Sequence, residues 1–228
     1  MVDISAGNDH SCAVTSDGAA WCWGHNLFGT ALGIGETDDR TVPVPVQVSG
    51  LTDVASISAG NGHSCAVTSA GAAWCWGAGG HFQLGHGQAA ASDVPVRVVG
   101  PEGDGHLTGV TDISANNMPA SSAGYTCAAT SDGSAWCWGS GGGAFTGGGW
   151  LGHQPTSTFT VYPTRVLGPG GSGHLTGVVS ISTGAARTCA VTSDGAAWCW
   201  GAGRSGQLGH GSTPFSSLLP VPVFDSGS

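Results

Sequence analysis

One phrase occurs four times in this chain, and that repetition limits the fold more than any other feature. Cys-Ala-Val-Thr-Ser-Asp-Gly-Ala-Ala-Trp-Cys-Trp-Gly at 12–24 returns with small changes at 65–77, 127–139 and 189–201. Its first cysteines are Cys12, Cys65, Cys127 and Cys189, spaced 53, 62 and 62 residues apart. Periods of that length exceed those of helical-hairpin repeats and suit a four-stranded propeller blade with its loops. An Ile-Ser segment precedes each cysteine phrase, beginning at Ile4, Ile57, Ile113 and Ile181. A Gly-rich loop closed by Leu-Gly follows it, and then a Pro-Val type strand such as Pro45–Val48 or Pro220–Val223. Four short strand signals per repeat, bounded by Gly and Pro, predict an all-β chain of four antiparallel four-stranded blades. Repeat boundaries fall at approximately 1–50, 51–108, 109–176 and 177–228 of a single domain. The third repeat carries an insertion between Ile113 and Cys127.

The central hairpin can be read residue by residue. If Ser16-Asp17-Gly18 is a three-residue loop with Gly18 in the left-handed region, Thr15 faces Ala19 and Cys12 falls opposite Cys22. Directly opposed residues of an antiparallel ladder lie close enough for a disulfide. The same count pairs Cys65 with Cys75, Cys127 with Cys137, and Cys189 with Cys199, one bridge per blade. A zinc site is the competing reading, because His10 and His63 stand two residues before a cysteine. Tyr125 and Arg187 replace them in the later repeats, so a fourfold metal pattern fails and no metal or other cofactor is expected. Trp21 and Trp23 point to one side of their strand and Cys22 to the other. Both sides must then be covered, as when blades stack face to face around an axis.

Charge narrows the function classes. The 228 residues include no lysine, five arginines and 14 acids, for a formal net charge of −9. Nucleic-acid binding needs a basic stripe to displace counterions from phosphate, so it is not expected. No run of 18 apolar residues is present, so no membrane span is expected. Eight paired cysteines belong to an oxidising compartment, which predicts an extracellular or cell-surface protein, although residues 1–7 show no leader. No nucleophile elbow, metalloprotease helix or phosphate loop appears, and the chain is read as non-enzymatic.

The His-Ser-Cys-Ala-Val, Trp-Cys-Trp-Gly and Gly-Gln-Leu-Gly-His-Gly phrases resemble the regulator of chromosome condensation repeat family along nearly the whole chain. That resemblance implies propeller blades, usually seven to a ring, against four repeats here. The orphan Pro-Val strand at 219–224 is therefore expected to complete the first blade or a neighbouring chain's blade, the latter giving a homo-oligomer. The family's ultraviolet photoreceptor uses stacked tryptophans just before the cysteine strand. Here those places read Asn8-Asp9-His10, Asn61-Gly62-His63, Gly124-Tyr125-Thr126 and Ala186-Arg187-Thr188, so photoreception is not expected. Bacterial members that bind proteins or sugars, or inhibit enzymes, fit better. The loop after Trp-Gly differs sharply among the four copies, which marks it as the place of recognition. Candidate binding residues are Phe28, Phe82, Phe145, Trp150 and Arg204, with a protein or glycan as ligand. The alternatives are a structural subunit assembled through its terminal strands and a protein inhibitor of an enzyme.

Overall fold

The computed structural model describes residues 1–118, 123–142, 149–153, 159–213 and 216–224. It contains four antiparallel sheets of four strands, each built from consecutive segments. The first comprises β1 (Asp3–Ala6), β2 (His10–Val14), β3 (Ala20–His25) and β4 (Thr41–Gln47). The second comprises β5 (Val54–Ala59), β6 (His63–Thr68), β7 (Ala73–Gly77) and β8 (Ser92–Arg97). The third comprises β9 (Val110–Ala115), β10 (Tyr125–Thr130), β11 (Ala135–Ser140) and β12 (Phe159–Arg165). The fourth comprises β13 (Val178–Thr183), β14 (Arg187–Thr192), β15 (Ala197–Ala202) and β16 (Ser216–Pro222). The innermost strands β1, β5, β9 and β13 pack side by side in that order, so the sheets are successive propeller blades.

The hairpin register follows from its turn. The Thr15 amide donates to the Ala19 carbonyl and the Gly18 amide to the Thr15 carbonyl, both at 2.9 Å. Gly18 sits at φ 80°, the left-handed conformation that glycine adopts without a Cβ penalty. Cys12 then faces Cys22, and the same register recurs in the other three blades. All four disulfides are formed, with Cα separations of 4.0 to 4.1 Å. The glycine ending each Trp-Cys-Trp-Gly phrase occupies a register shift between the third and fourth strands. At Gly24 a Cβ would stand 2.6 Å from the Asp9 carbonyl oxygen, so only glycine fits this bulge.

Three apolar cores lie in the three joints between neighbouring blades. In each, the sulfur-bearing side of one blade meets the tryptophan-bearing side of the next. Cys12, Val14 and Cys22 pack with Ile57 and Trp76 in the first joint. Polar contacts repeat there as well. The Ser5, Ser58 and Ser114 hydroxyl oxygens accept the amides of Ala59, Ala115 and Thr183 at 2.9 to 3.0 Å. The indole N–H groups of Trp76, Trp138 and Trp200 donate to the carbonyls of Ala31, Gln83 and Trp150 in the preceding blade.

One expectation is corrected. The C-terminal strand β16 pairs with β15 inside the fourth blade, with Cys199 opposite Val221, and does not fill the first blade. Each blade takes its Pro-Val strand from its own downstream side, as β4 beside β3 shows, so the first blade has no vacancy. Among the described residues, the first and fourth blades are not packed on each other, and the chain forms an open arc.

Candidate functional site

The β3–β4, β7–β8, β11–β12 and β15–β16 connections share one rim of the arc, together with the turns between the first and second strands of each blade. Blade packing fixes where these loops start and end while leaving their tips free to differ. The first loop, 26–40, is braced from within. The Asn26 side-chain amide donates to the carbonyls of Glu36 and Asp38 at 3.2 and 3.1 Å. His25 Nε2 lies 2.6 Å from one Asp39 carboxylate oxygen, and the Phe28 amide donates to the other at 3.2 Å. Glu36 is paired with Arg40. These contacts engage the Glu36 and Asp39 carboxylates, and no group of three possible metal ligands occurs among the described residues. Phe28 projects from this braced loop with 58% of its surface exposed.

The second loop carries the best-defined feature of the rim. Phe82 stacks obliquely on Phe159, the first residue of β12 in the next blade, with ring centroids 6.1 Å apart. The His81 imidazole lies nearly parallel to the same Phe159 ring at 5.7 Å. Partial burial lowers the pKa of His81, favouring the neutral imidazole. The turn beneath is tied by the His81 amide donating to Gln83 Oε1 at 2.8 Å. Phe159 remains 37% exposed, so the three rings form a shallow, partly solvated patch across the joint between the second and third blades.

Phe82 holds this position at a conformational cost. Its φ is 63°, in the left-handed region that a side chain of this size rarely adopts. The equivalent places in the third and fourth repeats are Gly149 and Gly206, at φ 78° and 75°. Asp53 and Glu102 likewise hold left-handed φ where sister repeats have Gly109, Gly177 and Gly170, so what distinguishes Phe82 is its contact with Phe159 across the joint. The departure at Phe82 was present in the sequence as Phe-Gln-Leu-Gly against Gly-Gln-Leu-Gly.

The other candidates divide. Arg204 is exposed in the fourth loop, beside a turn tied by the Ser205 amide to Gln207 Oε1 at 2.7 Å. Phe145 lies outside the described residues. Trp150 is a correction: it is 1% exposed, belongs to the core of the third joint, and packs on the Tyr125 ring at 5.9 Å. Its carbonyl accepts from both Thr188 Oγ1 and Trp200 Nε1 at 2.9 Å, so it is a socket for the fourth blade. The sequence reading missed His81 and Phe159. Phe159 opens a strand that looks ordinary, and only the fold brings it beside Phe82.

Models of the regulator of chromosome condensation (RCC1) repeat match residues 17–67, 70–117 and 194–228, and a second model of the same repeat matches 1–30, 54–83 and 178–207. The chain belongs to the RCC1 repeat family. The RCC1 domain-containing protein RUG3, mitochondrial, of Arabidopsis thaliana is 31% identical over 227 residues, covering 96% of this chain and 46% of that protein. The human WBSCR16 crystal structure superposes with a TM-score of 0.75 at 21% identity, covering 98% of this chain and 53% of that one. Yeast RCC1 (Prp20), solved bound to Kap60, also gives 0.75, at 19% identity over 99% of this chain and 49% of that one. The RCC1-type arc therefore spans about half the length of these relatives. Yeast RCC1 (Prp20) is solved with another protein, Kap60, bound to it.

Proposed function

We propose that this RCC1-type arc is a non-enzymatic recognition module that docks a protein partner on its loop rim, with Phe82, His81 and Phe159 as the anchor. The observation that carries this reading is the three-ring patch itself, in which Phe82 and His81 lie against Phe159 of the next blade while Phe159 stays 37% exposed. Aromatic side chains dominate the binding energy of protein interfaces because they bury large areas while ordering few torsions. A preformed patch also avoids the cost of ordering a loop on binding. Relatives such as Prp20, solved with a bound protein, support the class of partner. Four cross-strand disulfides support work in an oxidising compartment, outside the cell or on its surface.

The test is affinity capture from the native source, with the wild-type chain beside a Phe82→Gly, Phe159→Ser double variant. A protein retained by the first and lost from the second supports the reading. Equal retention by both overturns the placement of the site. Glycan-array binding that the double substitution abolishes would replace the protein ligand with a sugar.

A further inference from the structure

At every joint the linker leaving one blade lies against the hairpin tip of the next. The amides of Ser69, Ser131 and Ser193 donate to the carbonyls of Asp53, Gly109 and Gly177 at 2.7 to 2.8 Å. Strands alternate in direction, so these linkers and tips share the rim opposite the Phe82 patch. We propose that the clefts beside this contact in the second and third joints are a pair of equivalent sites for neutral hexoses.

The linkers set those two joints apart. Residues 101–106 and 169–174 form a Pro-x-Gly-x-Gly-His insertion that the first linker, 49–53, does not have. Each insertion closes on itself. The Gly100 amide donates to the Gly105 carbonyl at 3.1 Å, and the Gly168 amide to the Gly173 carbonyl at 3.2 Å. His106 and His174 bridge back to Val99 and Leu167, which brings an exposed imidazole to the wall of each cleft. Among the described residues neither imidazole makes a hydrogen bond, so the fold does not use it.

The hairpin tip adds a fixed carboxylate to the same wall. Asp132 Oδ1 accepts from Thr130 Oγ1 and the Ser134 amide at 2.6 and 3.1 Å. Asp194 Oδ1 accepts from Thr192 Oγ1 and the Ala196 amide at 2.6 and 3.2 Å. These bonds orient each carboxylate and leave it lone pairs for further donors. Half-buried Trp136 and Trp198 complete the two clefts, whose volumes are about 310 and 340 Å³. That is the lower end of the range for small-ligand sites.

The first joint is a built-in comparison. Its cleft keeps Thr68, Ser69 and Trp74 but has Ala70 where the others have aspartate, and it lacks the histidine-bearing insertion. Its tip still forms, with the Gly71 amide donating to the Thr68 carbonyl at 2.8 Å. Imidazole and carboxylate are thus present together at two joints and absent together at the third, which turn formation does not require. The second and third blades each have a neighbour on both sides, so the second cleft is complete whatever lies beyond either end of the chain.

The chemistry selects the ligand. A hexose ring has an apolar C–H surface and a rim of hydroxyls that donate and accept. Indole offers flat apolar area, the carboxylate takes charge-assisted bonds from hydroxyls, and imidazole with the serine and threonine hydroxyls serves either role. An acidic sugar would bring its own carboxylate against Asp132 or Asp194. Two sites on one rim also let a branched or repeating glycan bind both at once, with the gain in avidity that linkage gives.

Titration of the isotope-labelled chain with the methyl glycosides of glucose, mannose and galactose tests the proposal by amide chemical shifts. At least one sugar is expected to move the signals of 107–109 with 130–132 and of 175–177 with 192–194, leaving 50–53 and 68–71 in place. His106→Ala is expected to weaken the second cleft alone by about 2–10-fold, the loss of one hydrogen bond, and His174→Ala the third alone. Both histidines are exposed, so both variants should keep the wild-type thermal midpoint. The Phe82→Gly, Phe159→Ser variant should bind sugar as the wild type does, which separates this site from the protein-docking patch. Shifts at neither cleft with any of the three sugars, equal shifts at the first joint, or affinities unchanged in both histidine variants overturn the proposal. Tighter binding of methyl glucuronide than of the neutral sugars overturns the ligand class.

Discussion

The indole N–H of Trp138 donates to the main-chain carbonyl of Gln83 across the second joint, at 2.9 Å. Its ring lies against the backbone of Gly85, where an added Cβ would stand 2.6 Å from Nε1. Gly85 is also at φ 66°. Gly85→Ala is therefore expected to destabilise the chain by about 2–4 kcal/mol, through overpacking of a buried ring and a strained backbone. Urea unfolding checks this, with Gly80→Ala as the control because Gly80 has open space around it.

The disulfides give a second expectation. Each closes a short loop, for which the chain-entropy relation gives about 3 kcal/mol. Replacing Cys65 and Cys75 together by alanine is expected to cost about that much, read from the unfolding midpoint. Intact mass without reductant is expected to be eight hydrogens below that of the reduced chain. Eight free thiols would contradict the paired register.

Repeat two differs at its hairpin tip. In the other repeats Asp17, Asp132 and Asp194 accept from Thr15, Thr130 and Thr192 at 2.5 to 2.6 Å, and these bonds lower the aspartate pKa values. Ala70 cannot, although Thr68 is in place and bonds the Ala72 amide. Ala70→Asp is expected to raise the thermal midpoint by about 1–2 °C, as caps and turn bonds do. Because a lowered aspartate pKa stabilises only the ionised form, the gain should be present at neutral pH. It should vanish as acid protonates the folded carboxyl.

Acid also acts on the buried histidines. Burial lowers His10 to about 4, His63 to about 3 and His153 to about 4, so all three are neutral in the folded chain. Below the ordinary histidine value near 6.5 the unfolded chain takes up protons that the folded chain refuses, and stability falls with pH. The loss is about 1.4 kcal/mol per pH unit per histidine at full slope, ending near each folded value. Chemical denaturation between pH 7 and pH 4 measures it. His10 and His63 touch Ser64 and Thr126 of the following blades, so the first two joints should loosen first.

The rim patch separates binding from stability. Phe82→Gly relieves the left-handed strain and leaves the joint cores untouched, so the thermal midpoint should hold or rise while partner binding falls. A lower midpoint with unchanged binding would place Phe82 among the structural residues.

Much of this architecture could be read from the repeated phrase. The turn at Ser16-Asp17-Gly18 fixes the pairing of Cys12 with Cys22 because side chains alternate with a strict period of two. The strand that completes each blade was not legible. Pro45–Val48 follows one blade and precedes the next, and its alternation suits either neighbour. The six-residue link from Gln47 to Val54 carries the chain across to the following blade, leaving β4 beside β3. Trp150 looked like a loop anchor because glycines surround it. Its burial depends on Tyr125, which the third repeat has where the first two have His10 and His63, and on the arrival of the fourth blade at its carbonyl.

Because every blade is clamped by a sulfur bridge that reaches no other blade, oxidation can lock each hairpin as it emerges, in any order and without mispairing across units. Duplication or deletion of one whole unit then leaves the remaining bridges intact. A lineage can change the number of leaves in such an assembly without inventing a new way to hold any of them.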